Sequence, residues 1–159
     1  MTIPRLIFLV GIPGSGKSTW LQQQSLDIYG RPFLVVNPDR IRKELYGDIT
    51  DLTHHVEVWQ EAKQQTINFL NLGGSVILDA TNVQVSKRKL FLKDLPPCKL
   101  QAKIFPADPA LCWERVKKDL QENKERSRVT EKAIYKYYDE YLYTKKVIES
   151  EGFEIISTL

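Results

Sequence analysis

The chain has 159 residues, with 42% hydrophobic and 27% charged residues and a formal net charge of +3. That length can bury a proper core but leaves no room for a large second module, so one domain over residues 1–159 is expected. The composition excludes a disordered chain, and the apolar run Leu6-Ile7-Phe8-Leu9-Val10 is too short for a signal core or a membrane span, which predicts a cytoplasmic protein without a membrane partner.

Short β-rich runs at 5–10, 33–36, 75–78, 100–105 and 153–156 alternate with segments of helical period. The first runs directly into Gly11-Ile12-Pro13-Gly14-Ser15-Gly16-Lys17-Ser18, which satisfies Gly-x4-Gly-Lys-Ser, with a helix expected from Lys17. Gly11, Gly14 and Gly16 let the backbone turn so that successive N–H groups face phosphate oxygens. Lys17 brings a compact charge to the β- and γ-phosphates, and Ser18 offers a hydroxyl to Mg²⁺. Pro13, Ser15 and Thr19 complete the set expected around the phosphates. ATP or another nucleoside triphosphate with Mg²⁺ is the expected ligand.

Further along, Asn37-Pro38 supplies a cap and a first-turn proline for a helix over 39–46. A long helix over 52–72 is stopped by Gly73-Gly74, with Trp59, Phe69 and Leu72 at core-like intervals. Ser86 opens a basic helix to about 95, ended by Pro96-Pro97. Asp108-Pro109 starts a helix through 120, and Thr130 caps a tyrosine-rich helix that stops near Gly152. Strands separated by helices predict an α/β fold: a parallel sheet covered on both faces, with ligands at the carboxyl ends of the strands.

Polar residues at those ends are the candidate chemistry. Asp39 and Arg42 share a face at the start of a helix. The carboxylate there can take a proton from an attacking hydroxyl while the arginine holds a neighbouring phosphate. The plainer alternative is a first-turn acid that complements the helix dipole, with Arg42 on the surface. Asp79, at the tip of the third strand, resembles a Walker B acid that binds Mg²⁺ through water or orients the phosphate-loop groups. Thr81 and Asn82 read as turn residues. Lys124-Glu125-Arg126-Ser127-Arg128 joins two helices, at a lid spanning roughly 118–130, where arginines would neutralise charge on a transferring phosphate and exclude water.

Other features read more plainly. The excess of cations falls in the second half, in clusters at Lys87-Arg88-Lys89, Arg115 to Lys118 and Lys124 to Arg128. These are either solvated helix faces or an electropositive rim for a polyphosphate or nucleic-acid end. His54 and His55 are neighbours on a helix and point apart. Tyr135, Tyr137, Tyr138, Tyr141 and Tyr143 look like a base-stacking stripe, yet helix packing with wet hydroxyls explains them more simply. Cys98 and Cys112 read as ordinary reduced thiols. Asn123-Lys124-Glu125-Arg126 lacks the acid of a guanine-binding signature. No Asp-x-Asp phosphatase motif and no lysine-centred nucleotidyl-transfer motif occurs, so other repair activities would belong to other chains.

Together GIPGSGKSTW, NPDRIR and DATN resemble the P-loop 5′-hydroxyl polynucleotide kinase family, the kinase modules of phage and bacterial RNA-repair enzymes. The resemblance implies a five-stranded sheet in the order 2-3-1-4-5 and a phosphotransferase acting on the 5′-OH ends of RNA or DNA. It implies that Lys17 and Ser18 act on ATP·Mg²⁺, that Asp39 is the general base, and that Arg42 grips the adjacent phosphate. Asp79 would support the acceptor side, and Arg126 or Arg128 would be the lid arginine. Separate repair phosphatase and ligase chains are the implied partners. Two other readings stay open. One is a small-molecule kinase of the same plan, like the zeta-toxin group, acting on a nucleotide sugar, nucleoside or antibiotic. The other is an ATP-switched binding subunit, which would need no acceptor base.

Overall fold

The computed structural model describes residues 3–24, 30, 32–122, 124, 126 and 128–158. Five strands, β1 (Arg5–Val10), β2 (Leu34–Val36), β3 (Val76–Leu78), β4 (Lys99–Ile104) and β5 (Glu154–Ile156), make one parallel sheet in the order β2-β3-β1-β4-β5. β1 is central because all its side chains can be buried, and they alternate between two cores. Leu6, Phe8 and Val10 join Ile41, Val58, Phe91, Val116 and Ile134 on one face. Ile7 and Leu9 join Ile77 and Phe105 on the other, against Trp20 and Leu21.

The helices are α1 (Lys17–Gln22), α2 (Pro38–Tyr46), α3 (His55–Asn71), α4 (Val85–Leu92), α5 (Pro109–Gln121) and α6 (Glu131–Val147), followed by a 3-10 turn, Ile148–Glu151. The three caps expected from sequence form: Asn37, Asp108 and Thr130 accept from the backbone N–H groups of Arg40, Leu111 and Ala133 at 3.1, 3.2 and 3.1 Å. Among the described residues no helix is long and apolar enough to cross a membrane.

Three expectations need correction. α3 starts at His55 rather than at 52, because the Asp51 carboxylate takes the N–H and hydroxyl of Thr53 at 3.0 and 2.6 Å and favours a turn there. α4 ends at Leu92, before 95: Lys93 is extended and Asp94 adopts a φ of 60°, so the chain leaves the helix ahead of the two prolines. Leu72 is 82% exposed and is no part of the core, lying past the last turn of α3.

The basic cluster on α4 also divides in a way that its charge did not reveal. Arg88 is neither solvated nor part of a rim, being 1% exposed. Its guanidinium pairs in a fork with Glu151, Nε to Oε1 at 3.0 Å and Nη2 to Oε2 at 2.7 Å. Nη1 donates to the Asn82 carbonyl at 2.8 Å and to the Thr144 hydroxyl at 2.9 Å, and that hydroxyl donates to the Val83 carbonyl at 2.6 Å. One buried cation thus fastens the segment after β3 to α6 and the turn that follows it. Arg88→Ala strands the Glu151 carboxylate, and a urea titration should register a loss of about 3–5 kcal/mol. A change under about 1 kcal/mol would show that the pair is no more than a surface contact.

Candidate active site

The phosphate loop is shaped by backbone conformations that side chains resist. Gly14 has a φ of 82° and Gly16 one of 97°. A Cβ on Gly14 would stand 2.6 Å from the Cys112 carbonyl oxygen, so α5 presses directly on the loop. Lys17 folds back over it, with Nζ donating to the Gly11 and Ile12 carbonyls at 2.8 and 2.9 Å. Burial pushes the Lys17 ammonium down to about 8 against the opposing pull of Asp79, with Arg126 adding to the depression. Ser18 and Thr19 are exposed and line the cleft above.

The loop is joined to the end of β3. The Gly11 N–H donates to the Thr81 carbonyl at 3.1 Å. Asn82, at a φ of 53°, sends its amide to the Leu9 carbonyl at 2.7 Å and the Leu78 carbonyl at 3.2 Å. Asn82 therefore does more than turn the chain, since its side chain ties β1 to β3. Asparagine is among the few residues that tolerate this conformation. Asp79 points into the same region, its Oδ2 accepting from Asn37 Nδ2 at 2.9 Å. Burial raises the Asp79 carboxyl above its ordinary range, with Lys17 and the Asn37 bond pulling it back. Asn37 thus caps α2 and holds the carboxylate as well, a second role that its sequence position does not signal.

Asp39 and Arg42 come together as their spacing predicts, with Arg42 Nη1 donating to Asp39 Oδ1 at 2.6 Å. The Arg42 side chain is 4% exposed and that of Asp39 44%. Arg42 is therefore not a surface arginine, and its Nε is buried without a hydrogen-bond partner.

A cleft of about 1860 Å³ runs over the strand ends and collects Gly14 to Thr19, Asp39, Arg42, Asp79, Arg126 and Arg128. Arg126 Nε lies 3.6 Å from Asp119 Oδ2, its Nη1 is buried without a partner, and its charge is felt at Lys17. Arg128 is exposed on the cleft, and its charge is felt at Asp48, in the turn after α2. Glu125 and Ser127, between these arginines, and Asn123 before them lie outside the described residues. Among the described residues no group of three or more His, Cys, Asp or Glu side chains is arranged to hold a metal.

Several cleft residues were read from sequence only as core-like, as a histidine pair pointing apart or as members of basic clusters. Arg115, within one of the basic clusters, donates from Nη1 to the Gly14 carbonyl at 3.1 Å. His55, Trp59 and Lys87 line the same cleft. The tyrosine stripe divides. The Tyr141 hydroxyl is not wet, since it donates to the Phe105 carbonyl at 2.7 Å inside the fold. Tyr137 faces the cleft, where burial, then Glu140 and Asp39, raise its hydroxyl above the usual range. Helical period marks these aromatics as inward-facing and cannot distinguish a core from a cleft wall.

Comparisons with known proteins agree with this architecture. No curated protein matches the chain significantly. A chain of the solved Pnkp1/Rnl/Hen1 RNA repair complex superposes with a TM-score of 0.74 at 23% identity, over 92% of this chain and 46% of its own. A chain from a second Pnkp1/Rnl/Hen1 complex gives 0.58 at 25% identity, over 72% and 40%. A protein from Chloroflexus aurantiacus solved as a candidate kinase gives 0.59 at 16% identity, over 77% and 69%. The chain spans less than half the length of the two repair-complex chains that it resembles. The fold is the one these three structures share. The model for the AAA domain family matches residues 6–141, through the phosphate loop, both acidic strand ends and most of α6, and the chain belongs to that family of P-loop proteins.

Proposed function

We propose that this chain is a polynucleotide 5′-hydroxyl kinase that moves the γ-phosphate of ATP to the 5′-OH end of RNA or DNA. The observation that carries this reading is the Asp39–Arg42 pair, closed at 2.6 Å and lining the same cleft as the phosphate loop. A nucleotide switch needs no such acceptor half. In this reading residues 1–159 form one kinase domain, acting in the cytoplasm, with a lid at roughly 118–130. Separate phosphatase and ligase chains would supply the other steps of end repair, in keeping with the repair assemblies that hold its structural neighbours.

The roles follow from position. Gly11 to Thr19 cradle the β- and γ-phosphates, with Lys17 turning from its own loop carbonyls to the phosphate oxygens. Ser18 and Asp79 offer hard oxygen donors suited to Mg²⁺, which takes few protein ligands and completes its shell with water and phosphate oxygens. The ion, when bound, offsets charge on the polyphosphate. Asp39 accepts the proton of the attacking hydroxyl as its oxygen bonds to the γ-phosphorus and the bond to ADP breaks. Arg42 holds the phosphate beside that hydroxyl. Arg126 stabilises the transferring group, with Arg128 at the lid edge. Positioning and charge neutralisation supply most of the acceleration, since phosphoryl transfer leaves little covalent work for a protein.

Labelled ATP offered with 5′-OH and 5′-phosphate oligonucleotides should label only the 5′-OH ends. Transfer to sugars or nucleosides alone would make the chain a small-molecule kinase, and ATP binding without any acceptor would make it a switch. Asp39→Ala should lower kcat roughly 10²–10⁴-fold while ATP affinity stays nearly constant; full activity in this variant would remove Asp39 from the mechanism.

Lys17 adds a pH signature. With its pKa at about 8 the lysine is charged below that pH and increasingly neutral above it, whereas bound phosphate favours the charged form. ATP binding should therefore take up protons at about pH 8.5 and not at about pH 6.5, and affinity should fall as pH rises past 8. Calorimetry in two buffers of different ionisation enthalpy reads the uptake directly. Equal binding enthalpies in both at the higher pH would mean that Lys17 is already fully charged.

A further inference from the structure

The polynucleotide reading leaves unassigned how one wall of the cleft meets an acceptor longer than a phosphate and a hydroxyl. That wall is built from α3 and α4. His55 and Trp59 lie four residues apart on α3 and so on one face, with ring centroids 6.2 Å apart at a tilt of 58°. Both line the cleft that holds Asp39 and Arg42. The preceding His54 is stacked on Tyr46, at 3.8 Å and 7° between planes, which leaves His55 as the histidine that faces the cleft. Trp59 is half-buried, supported from behind by Phe91 in an edge-to-face contact at 6.1 Å and 84°. Lys87 of α4 is exposed on the same wall.

Charge and chemistry fit this arrangement to one kind of occupant. Burial first, then Lys87 and Arg42, lower the proton affinity of His55, which favours the uncharged aromatic ring at the cleft. Two aromatic rings beside two cations suit a flat ring carried on an anionic backbone. An aliphatic acceptor without a flat face would make little use of the Trp59 ring. Stacking on protein aromatics tolerates any base, because every base has a π-face.

We propose that Trp59 and His55 form a stacking shelf for the nucleobase of the acceptor's 5′-terminal nucleotide, with Lys87 holding the acceptor backbone beyond the phosphate gripped by Arg42. This rests on the polynucleotide reading above. The shelf makes Trp59 a binding residue for the acceptor with no part in ATP binding, and it predicts indifference to which base is present but dependence on there being one.

The test compares 5′-OH oligonucleotides carrying a normal or an abasic 5′-terminal nucleotide, at saturating ATP. The wild-type protein should show a KM roughly tenfold higher for the abasic acceptor, with kcat little changed. Trp59→Ala should raise KM for the normal acceptor to the abasic value and abolish the discrimination, leaving KM for ATP unchanged. Trp59→Tyr should keep most of the discrimination, which a purely structural role behind Phe91 does not require. Lys87→Ala should raise KM for both acceptors and flatten its salt dependence by about one phosphate contact. Equal wild-type KM values for normal and abasic ends, with both efficiently labelled, overturn the shelf and leave the kinase reading standing. Discrimination that persists in Trp59→Ala overturns it as well. Failure of the wild-type protein to label any oligonucleotide overturns both readings. Because Trp59→Ala can unfold α3, His55→Ala serves as a second variant, expected to weaken the discrimination in part.

Discussion

The hydrogen-bonded join between the carboxyl ends of β1 and β3 governs everything around it. A phosphate loop needs a rigid floor, since its affinity comes from several backbone N–H groups aimed at once. Here the floor is supplied from the neighbouring strand. Thr81 takes the Gly11 N–H, and the Asn82 amide reaches back to Leu9 and Leu78. The same segment begins with Asp79, so the acid and the loop are held in one frame. Arg88 secures the other side of the segment, binding the Asn82 carbonyl and tying it to Glu151 and Thr144. The segment that frames the cleft is thus held by a buried arginine outside the cleft lining.

The charges in the cleft are balanced against burial rather than against solvent. Burial pushes Lys17 down and Asp79 up, and each of the two restrains the other's shift. Each therefore ionises less readily than it would in water. The charge of Arg126 is felt at Lys17 and Arg115 reaches the loop itself, so positive charge converges on the phosphate loop from α5 and from the segment after it. Arg42 is fixed by Asp39 and has one buried nitrogen without a partner, which leaves it capacity for a further hydrogen-bond acceptor.

Arginine shows how far residue type alone can mislead. Arg42, Arg88, Arg115 and Arg126 look alike in the sequence, each near other charges. In the fold one is paired with the proposed base, one is a structural tie, one touches the phosphate loop and one lies by Asp119 with its charge felt at Lys17. What separates them is which partner the tertiary structure brings within hydrogen-bond range, and those partners lie up to 101 positions away in the chain.

The sequence by itself determined whatever depends on neighbours along the chain. The buried alternation of β1, the capping residues Asn37, Asp108 and Thr130, the phosphate loop and the shared face of Asp39 and Arg42 are all local, and local rules find them. Strand order was legible through resemblance, because parallel pairing leaves no mark at short range. Only the tertiary structure decided that Asn37 holds Asp79, that Asn82 bridges two strands and that Arg88 is buried. It also decided that Trp59 and Tyr137 wall a cleft where Tyr141 fills the core. The reason is physical: helical period says that a side chain faces inward, but whether it meets apolar packing, a carbonyl or an open cleft depends on elements that arrive from elsewhere in the chain.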